Sequence, residues 1–287
     1  MHHFLLRTIK IICLPVMVWS LAACNKEAKL TPTKVPDFYT LPQGNQPYDD
    51  SIVAFHKKYG TYILYKFTNI DFAYDYNNYI TYTATIGNPA YVGQTLDYFR
   101  TQCLDYYPES FLRKTLPLKI ILAAHIDSLY SLGDVMLAHP SVTGFAASSS
   151  MMAIGWTDST LTKKTPAELA QMKGWLHSCY AQQAIKSGSI SIPPVFIKLA
   201  PNDYAFLPAG GKYAAGLIDD YNNGGTLLID FLSYITAITS HTRAELDATI
   251  LNPAVDINGL IQGKYDAIIN YYQSQFGVDL QAIGNHS

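Results

Sequence analysis

Apolar side chains recur along this chain with two different periods, and the period changes near its middle. In residues 51–59 the spacing of Ile52, Phe55 and Tyr59 is helical, with Gly60 as a stop. Residues 61–67 (Thr-Tyr-Ile-Leu-Tyr-Lys-Phe) are β-branched and aromatic, which predicts a strand. The Tyr- and Asn-rich segment 74–84 reads as a strand after an irregular loop. Residues 93–107 return to helical spacing, with Leu96, Phe99 and Cys103 on one stripe. The apolar run at 118–124 is of the kind found at sheet centres. Residues 142–147 and 151–156 predict two further strands joined by Ser148-Ser149-Ser150.

Helical periods then take over. Thr165-Pro166-Ala167-Glu168 is a capping box with Pro at the first helical position. From it Leu169, Met172, Leu176, Cys179, Tyr180 and Gln183 fall on one broad face up to Gly188. Further helices are predicted over 226–239 and from a second capping box, Thr242-Arg243-Ala244-Glu245. The last covers 256–276, with Gly277 as terminator. Strands first and helices later give an α+β domain, with a small mixed sheet in the N-terminal half and a helical C-terminal half.

The first residues follow neither period. Arg7 and Lys10 precede a short apolar stretch interrupted by Pro15, and Leu21-Ala22-Ala23-Cys24 follows. The stretch is too short to span a bilayer, so residues 1–23 read as a lipoprotein signal peptide with Cys24 as the lipidated residue. Residues 24–47 are polar, with four prolines after Pro32 inclusive, and read as a tether. With no internal repeat and no second linker, residues 48–287 are left for one domain.

Composition narrows the function. Only 15% of residues are charged and 22 are Tyr, which excludes intrinsic disorder. Loss of Arg7 and Lys10 with the leader leaves 18 basic against 22 acidic residues, a formal −4. A chain of that charge with no basic stripe is not a nucleic-acid binder, and its membrane contact is the lipid anchor. Cys103 and Cys179 remain after lipidation of Cys24. They either form a disulfide, which an oxidising envelope permits, or pack as two buried thiols.

The common catalytic signatures are absent: no G-x-S-x-G, no phosphate-binding glycine loop and no H-E-x-x-H. Gly210-Gly211-Lys212 reads as a turn. Asp49-Asp50 and Asp219-Asp220 read as caps or solvated turns before they read as acid pairs or calcium ligands. His125-Ile126-Asp127 ends an apolar strand, where a polar loop residue is the plain reading. His177 lies within the capped helix. A zinc hydrolase on such a helix needs His at i and i+4 and Glu at i+1. Here i+1 is Ser178 and i+4 is Ala181, so on its own His177 reads as a helix-flank residue.

The order of these pieces nevertheless resembles a family. Gly216-Leu217-Ile218-Asp219-Asp220-Tyr221, then Asn270-Tyr271-Tyr272 running into Gly277-Val278-Asp279-Leu280, are similar to segments of the substrate import-associated zinc metallohydrolase lipoproteins of Bacteroidota, a zinc-binding metallopeptidase family. The resemblance spans most of residues 48–281 and implies a zincin-like fold. It also implies a role beside a TonB-dependent outer-membrane transporter and its ligand-capture lipoprotein, in oligosaccharide or peptide uptake. Against that pattern His177 is a residual first-ligand position, with Ser178 and Ala181 in place of the base and the second ligand. In the segment that should be acidic, Asp230 is the one carboxylate, out of register. The expectation is therefore an outer-membrane-anchored lipoprotein with a decayed metallopeptidase-like site, no metal and no catalysis. The alternatives are an active zinc hydrolase using His177 with His125 or His241, and a structural envelope lipoprotein. Lys26-Glu27 after Cys24 is too sparse to choose between the cell surface and the periplasmic face.

Overall fold

The computed structural model describes residues 37–286 apart from 76–77, 80–81, 133–134, 141–143, 209 and 221–224. Cys24, the leader and the tether up to residue 36 lie outside the described residues. The polar stretch read as tether has joined the body by Gln43. Its side chain accepts from the backbone N–H of Tyr65 at 2.8 Å and donates to the carbonyl of Lys66 at 2.6 Å.

Helix α1 (Pro47–Tyr59) opens the body and ends at Gly60 in the left-handed conformation that its sequence predicts. Strand β1 (Tyr62–Leu64) is shorter than the apolar run around it. The Gln43 side chain takes the Tyr65 N–H, so the ladder stops there. After the short α2 (Asn69–Ala73), β2 (Tyr74–Asp75) and β3 (Asn78–Tyr79) come β4 (Tyr82–Ile86) and α3 (Val92–Gln102). The helix predicted to reach residue 107 stops at Gln102, because Cys103 leaves helical geometry. A 3-10 turn (Leu104–Tyr106) then leads into Pro108. A short helix α4 (Glu109–Thr115), which the spacing did not reveal, precedes the sheet's central strand.

That strand, β5 (Lys119–Leu132), is twice the predicted length and takes part in four ladders. Its first residues pair in parallel with β1 and with β8 (Met151–Ile154). Its later residues pair antiparallel with β4 and with β6 (Val135–Pro140). The polar His125-Ile126-Asp127 therefore continues a strand and does not form a loop. Strand β7 (Phe145–Ala147) pairs antiparallel with β8 and forms one edge of the sheet.

Alternation along β5 divides the core between two faces. Ile120 and Leu122 join Met152 and Ile154 in the large cluster under the helices, while Ile121 and Ala123 meet Phe67, Phe72 and Met151 on the other side. The helical half consists of α5 (Pro166–Lys186), α6 (Pro194–Leu199), α7 (Gly211–Ala214), α8 (Leu227–Ser240), α9 (Arg243–Ala248), α10 (Leu260–Phe276) and α11 (Leu280–Asn285). Helix α10 starts four residues later than its spacing suggests. Asp256 stays outside it, and its carboxylate accepts from the N–H groups of Ile261 and Gln262 at 3.0 and 2.8 Å. The predicted α+β arrangement is the observed one. Among the described residues no helix is long and apolar enough to cross a membrane.

Candidate functional site

Helix α5 organises the site. Both arms of its capping box are formed: Thr165 Oγ1 accepts from Glu168 N, and the Glu168 carboxylate accepts from Thr165 N at 2.8 Å. Twenty-one residues then carry the chain through the middle of the molecule. Met172, Leu176, Tyr180 and Gln183 enter the core, as the spacing predicts, Cys179 is nearly as deep, and Leu169 is only half-buried.

His177 shares this inward face and is completely buried, so the helix-flank position expected for it gives way to a core position. Its Nδ1 lies 2.8 Å from the Tyr107 hydroxyl, and the rings of Tyr106 and Tyr107 flank the imidazole. Burial pushes its pKa down to about 3; the backbone of Gln102 opposes the shift and the charge of Lys173 adds to it. Ala181, the i+4 partner of His177, is buried as well.

The α5 residues turned to open space form a different stripe: Gln171, Trp175, Ser178 and Gln182. Gln171, Trp175 and Ser178 line a cavity of about 730 Å³ between α5 and α8, which supplies Leu232, Ser233 and Thr236 among others. Trp175, Ser178 and Leu232 also line a smaller cavity of about 240 Å³, together with Gln182, Lys186 and the edge strand β7. Ser178 Oγ donates to the carbonyl of Leu232 at 3.3 Å across the groove. The helices meet closely because position 174 is glycine. A Cβ there would lie 2.8 Å from Ser240 Cβ and from the carbonyl of Thr236.

Asp230 lies in the first turn of α8 but outside both cavity linings. Its Oδ2 accepts from Lys264 Nζ on α10 at 2.6 Å and from the Tyr204 hydroxyl at 3.0 Å, with both charged side chains fully buried. Lys264 also donates to the carbonyl of Gly216, which Tyr234 Oη shares, and its Nζ stands 5.0 Å from the Phe196 ring centroid. Burial lowers the Lys264 pKa, while the Asp230 charge and hydrogen bond resist.

The remaining candidates are scattered. His125 is on β5 with Nε2 3.5 Å from Asp158 Oδ2, away from either cavity. His241 does line the larger one, with Nδ1 2.9 Å from Ser240 Oγ. Asp219 also lines that cavity, whereas Asp220 pairs with Lys212 at 2.9 Å. Asp49 is a buried helix cap, bonded to Gln46 N and the Tyr65 hydroxyl. Cys103 and Cys179 are free buried thiols, and burial pushes the Cys179 pKa up to about 12. Among the described residues no three of His, Cys, Asp and Glu stand close enough to share a cation, so the side chains present do not fit a three-ligand zinc site.

Sequence reasoning missed Trp175 and Gln182. The signal was available, because once the core face of α5 is set by Leu176, Tyr180 and Gln183, the flanking stripe at i, i+3, i+7 must face outward.

These features define an α+β protein whose central helix walls a groove closed on one side by a sheet edge and on the other by α8. No family profile and no curated protein matches the sequence. A solved structure does share the fold: a "putative zinc-binding metallo-peptidase" from Bacteroides caccae, 12% identical, with a TM-score of 0.55 over 83% of this chain and 88% of that one. The likeness is one of fold.

Proposed function

We propose that this chain is a non-catalytic binding protein on a metallopeptidase fold. Lipid on Cys24 holds it to the outer membrane, where it serves as an accessory of a TonB-dependent uptake system. The observation that carries the reading is the outward stripe of α5. The helix turns Ser178 and Gln182, spaced i and i+4, to the groove where an active enzyme would present two His ligands. Between them Cys179 stands at the general-base position, its thiol 3.4 Å from the carbonyl of Ala146. In this reading the ligand register falls at 178 and 182, one residue beyond the 177 and 181 of the sequence reading. Neither a hydroxyl nor a carboxamide holds zinc as imidazole does. The carboxylate nearest in sequence to a third ligand, Asp230, is compensated by Lys264.

Elemental analysis of the full chain, purified without chelator, tests this reading directly. Substoichiometric zinc and no chelator-sensitive peptidase turnover are expected; one zinc per chain would overturn it. Labelling with a radioactive fatty acid tests the anchor, and Cys24→Ser should abolish incorporation. The active-hydrolase alternative draws its one support from His241, which lines the groove. It requires turnover that His241→Ala removes.

A further inference from the structure

The smaller cavity, about 240 Å³, is walled by three aromatic rings from distant parts of the chain: Tyr82 of β4, Phe145 of β7 and Trp175 of α5. Among the described residues that line it there is one charged group, Lys186, and no carboxylate. The Lys186 Nζ donates to the carbonyl of Ala147 at 2.8 Å, which holds the ammonium beside the cavity. A carbonyl carries no net charge, so this bond fixes the cation without neutralising it.

Its other polar groups add no negative charge. Burial pushes the Cys179 pKa up to about 12, so this thiol stays protonated at neutral pH. Gln182 lines the cavity one turn before Lys186, on the same side of α5, and its carboxamide supplies N–H donors. The larger cavity has the opposite sign, because its lining includes Asp219 and Glu245 and neither Lys nor Arg. Of the two, the smaller is therefore the one that attracts an anion. Its volume is the share of about eight water molecules, room for one ring with a short arm and not for a length of polymer.

We infer that this cavity binds a small aromatic monocarboxylate of the arylpropionate kind, its ring among Tyr82, Phe145 and Trp175 and its carboxylate on Lys186 and Gln182. Aromatic rings prefer edge-to-face and offset contacts, which walls from three separate elements can supply. An ammonium makes a short, charge-assisted bond to a carboxylate, and one cation matches one negative charge. The inference rests on the non-catalytic reading of α5, since a zinc ion on that helix would compete for the carboxylate.

The test is calorimetric titration of the full chain in detergent micelles, with micelles alone as the blank. The probes are phenylpropionate and indole propionate, the neutral phenylpropanamide, the cation phenylpropylamine, and acetate as a carboxylate without a ring. At least one aryl acid should bind saturably, tenfold or more tighter than the amide, the amine or acetate. Lys186→Gln should abolish the advantage of acid over amide, and Lys186→Arg should keep most of it. Trp175→Ala should weaken acid and amide alike. Lys186 is exposed at the end of α5, so its variants carry the test if Trp175→Ala does not fold. No saturable binding of either acid, an amide, amine or acetate bound as tightly as the acid, or an advantage of the acid untouched by Lys186→Gln overturns the inference. One zinc per chain with acid binding that still needs Lys186 would sink the non-catalytic reading and leave the ligand standing. A zinc-free chain that binds neither acid would do the reverse.

Discussion

Lys264 Nζ lies 2.6 Å from Asp230 Oδ2, and neither side chain is exposed to solvent. A buried carboxylate must be compensated, and here an ammonium from α10 does what a cation would otherwise do. Lys264→Met removes the partner and leaves the carboxylate inside, so a loss of about 3–5 kcal/mol is expected from urea denaturation. The double variant with Asp230→Leu should lose less than Lys264→Met alone.

His177 should make stability depend on acid. Its ordinary pKa of 6.5 falls to about 3 in the fold, chiefly through burial. Between those values the unfolded chain binds a proton that the folded chain refuses, so stability falls as pH drops through the window. At about 1.4 kcal/mol per pKa unit the effect is on the order of a few kcal/mol. His177→Gln keeps a polar partner for Tyr107 and cannot titrate. Denaturation midpoints from pH 8 down to 3.5 should therefore slope less in the variant than in the parent.

Gly174 fixes how closely α5 approaches α8. Gly174→Ala forces a methyl group against Ser240 and the Thr236 carbonyl, and a cost of about 1–3 kcal/mol is expected in thermal or chemical unfolding. The groove between the helices should widen with it. A crystal structure of the variant, compared with the parent, measures that change.

The α5 cap gives a milder effect. Thr165→Ala removes the side-chain acceptor for the first turn and should cost about 1 kcal/mol. The backbone N–H of Thr165, then its hydroxyl and Lys164, hold the Glu168 carboxyl below its usual range. Stability from that source is present above the ordinary carboxylate pKa and is lost as pH falls through the depressed value. An NMR titration of the Glu168 carboxyl carbon should show the depression, reduced in Thr165→Ala.

The elements whose signal is local were legible in the sequence. The capping boxes at Thr165 and Thr242 start helices where they should, and Gly60 and Gly277 end them. Elements defined by partners far away were not. Strand β5 extends past Ala124 because β4 and β6 pair with its later residues, which the apolar run at 118–124 does not announce. The outward stripe of α5 was hidden for a similar reason. A His suggests a ligand, but whether α5 turns residue 177 or 178 to the groove depends on how the helix packs against Tyr107 and α8. The pairing of Asp230 with Lys264 spans 34 positions and leaves no trace in either local sequence.

One further contact joins the centre of the chain to residues translated long after it. Lys173, buried on α5, donates to the carbonyls of Ile283 and His286 at 2.9 and 3.3 Å, the first of them 110 positions later. With that last turn docked, the buried ammonium bonds to two backbone carbonyls in place of water. The last turn of the chain therefore completes the solvation of a charge at its centre. Truncation before residue 283 would open that ammonium to water at the middle of the molecule.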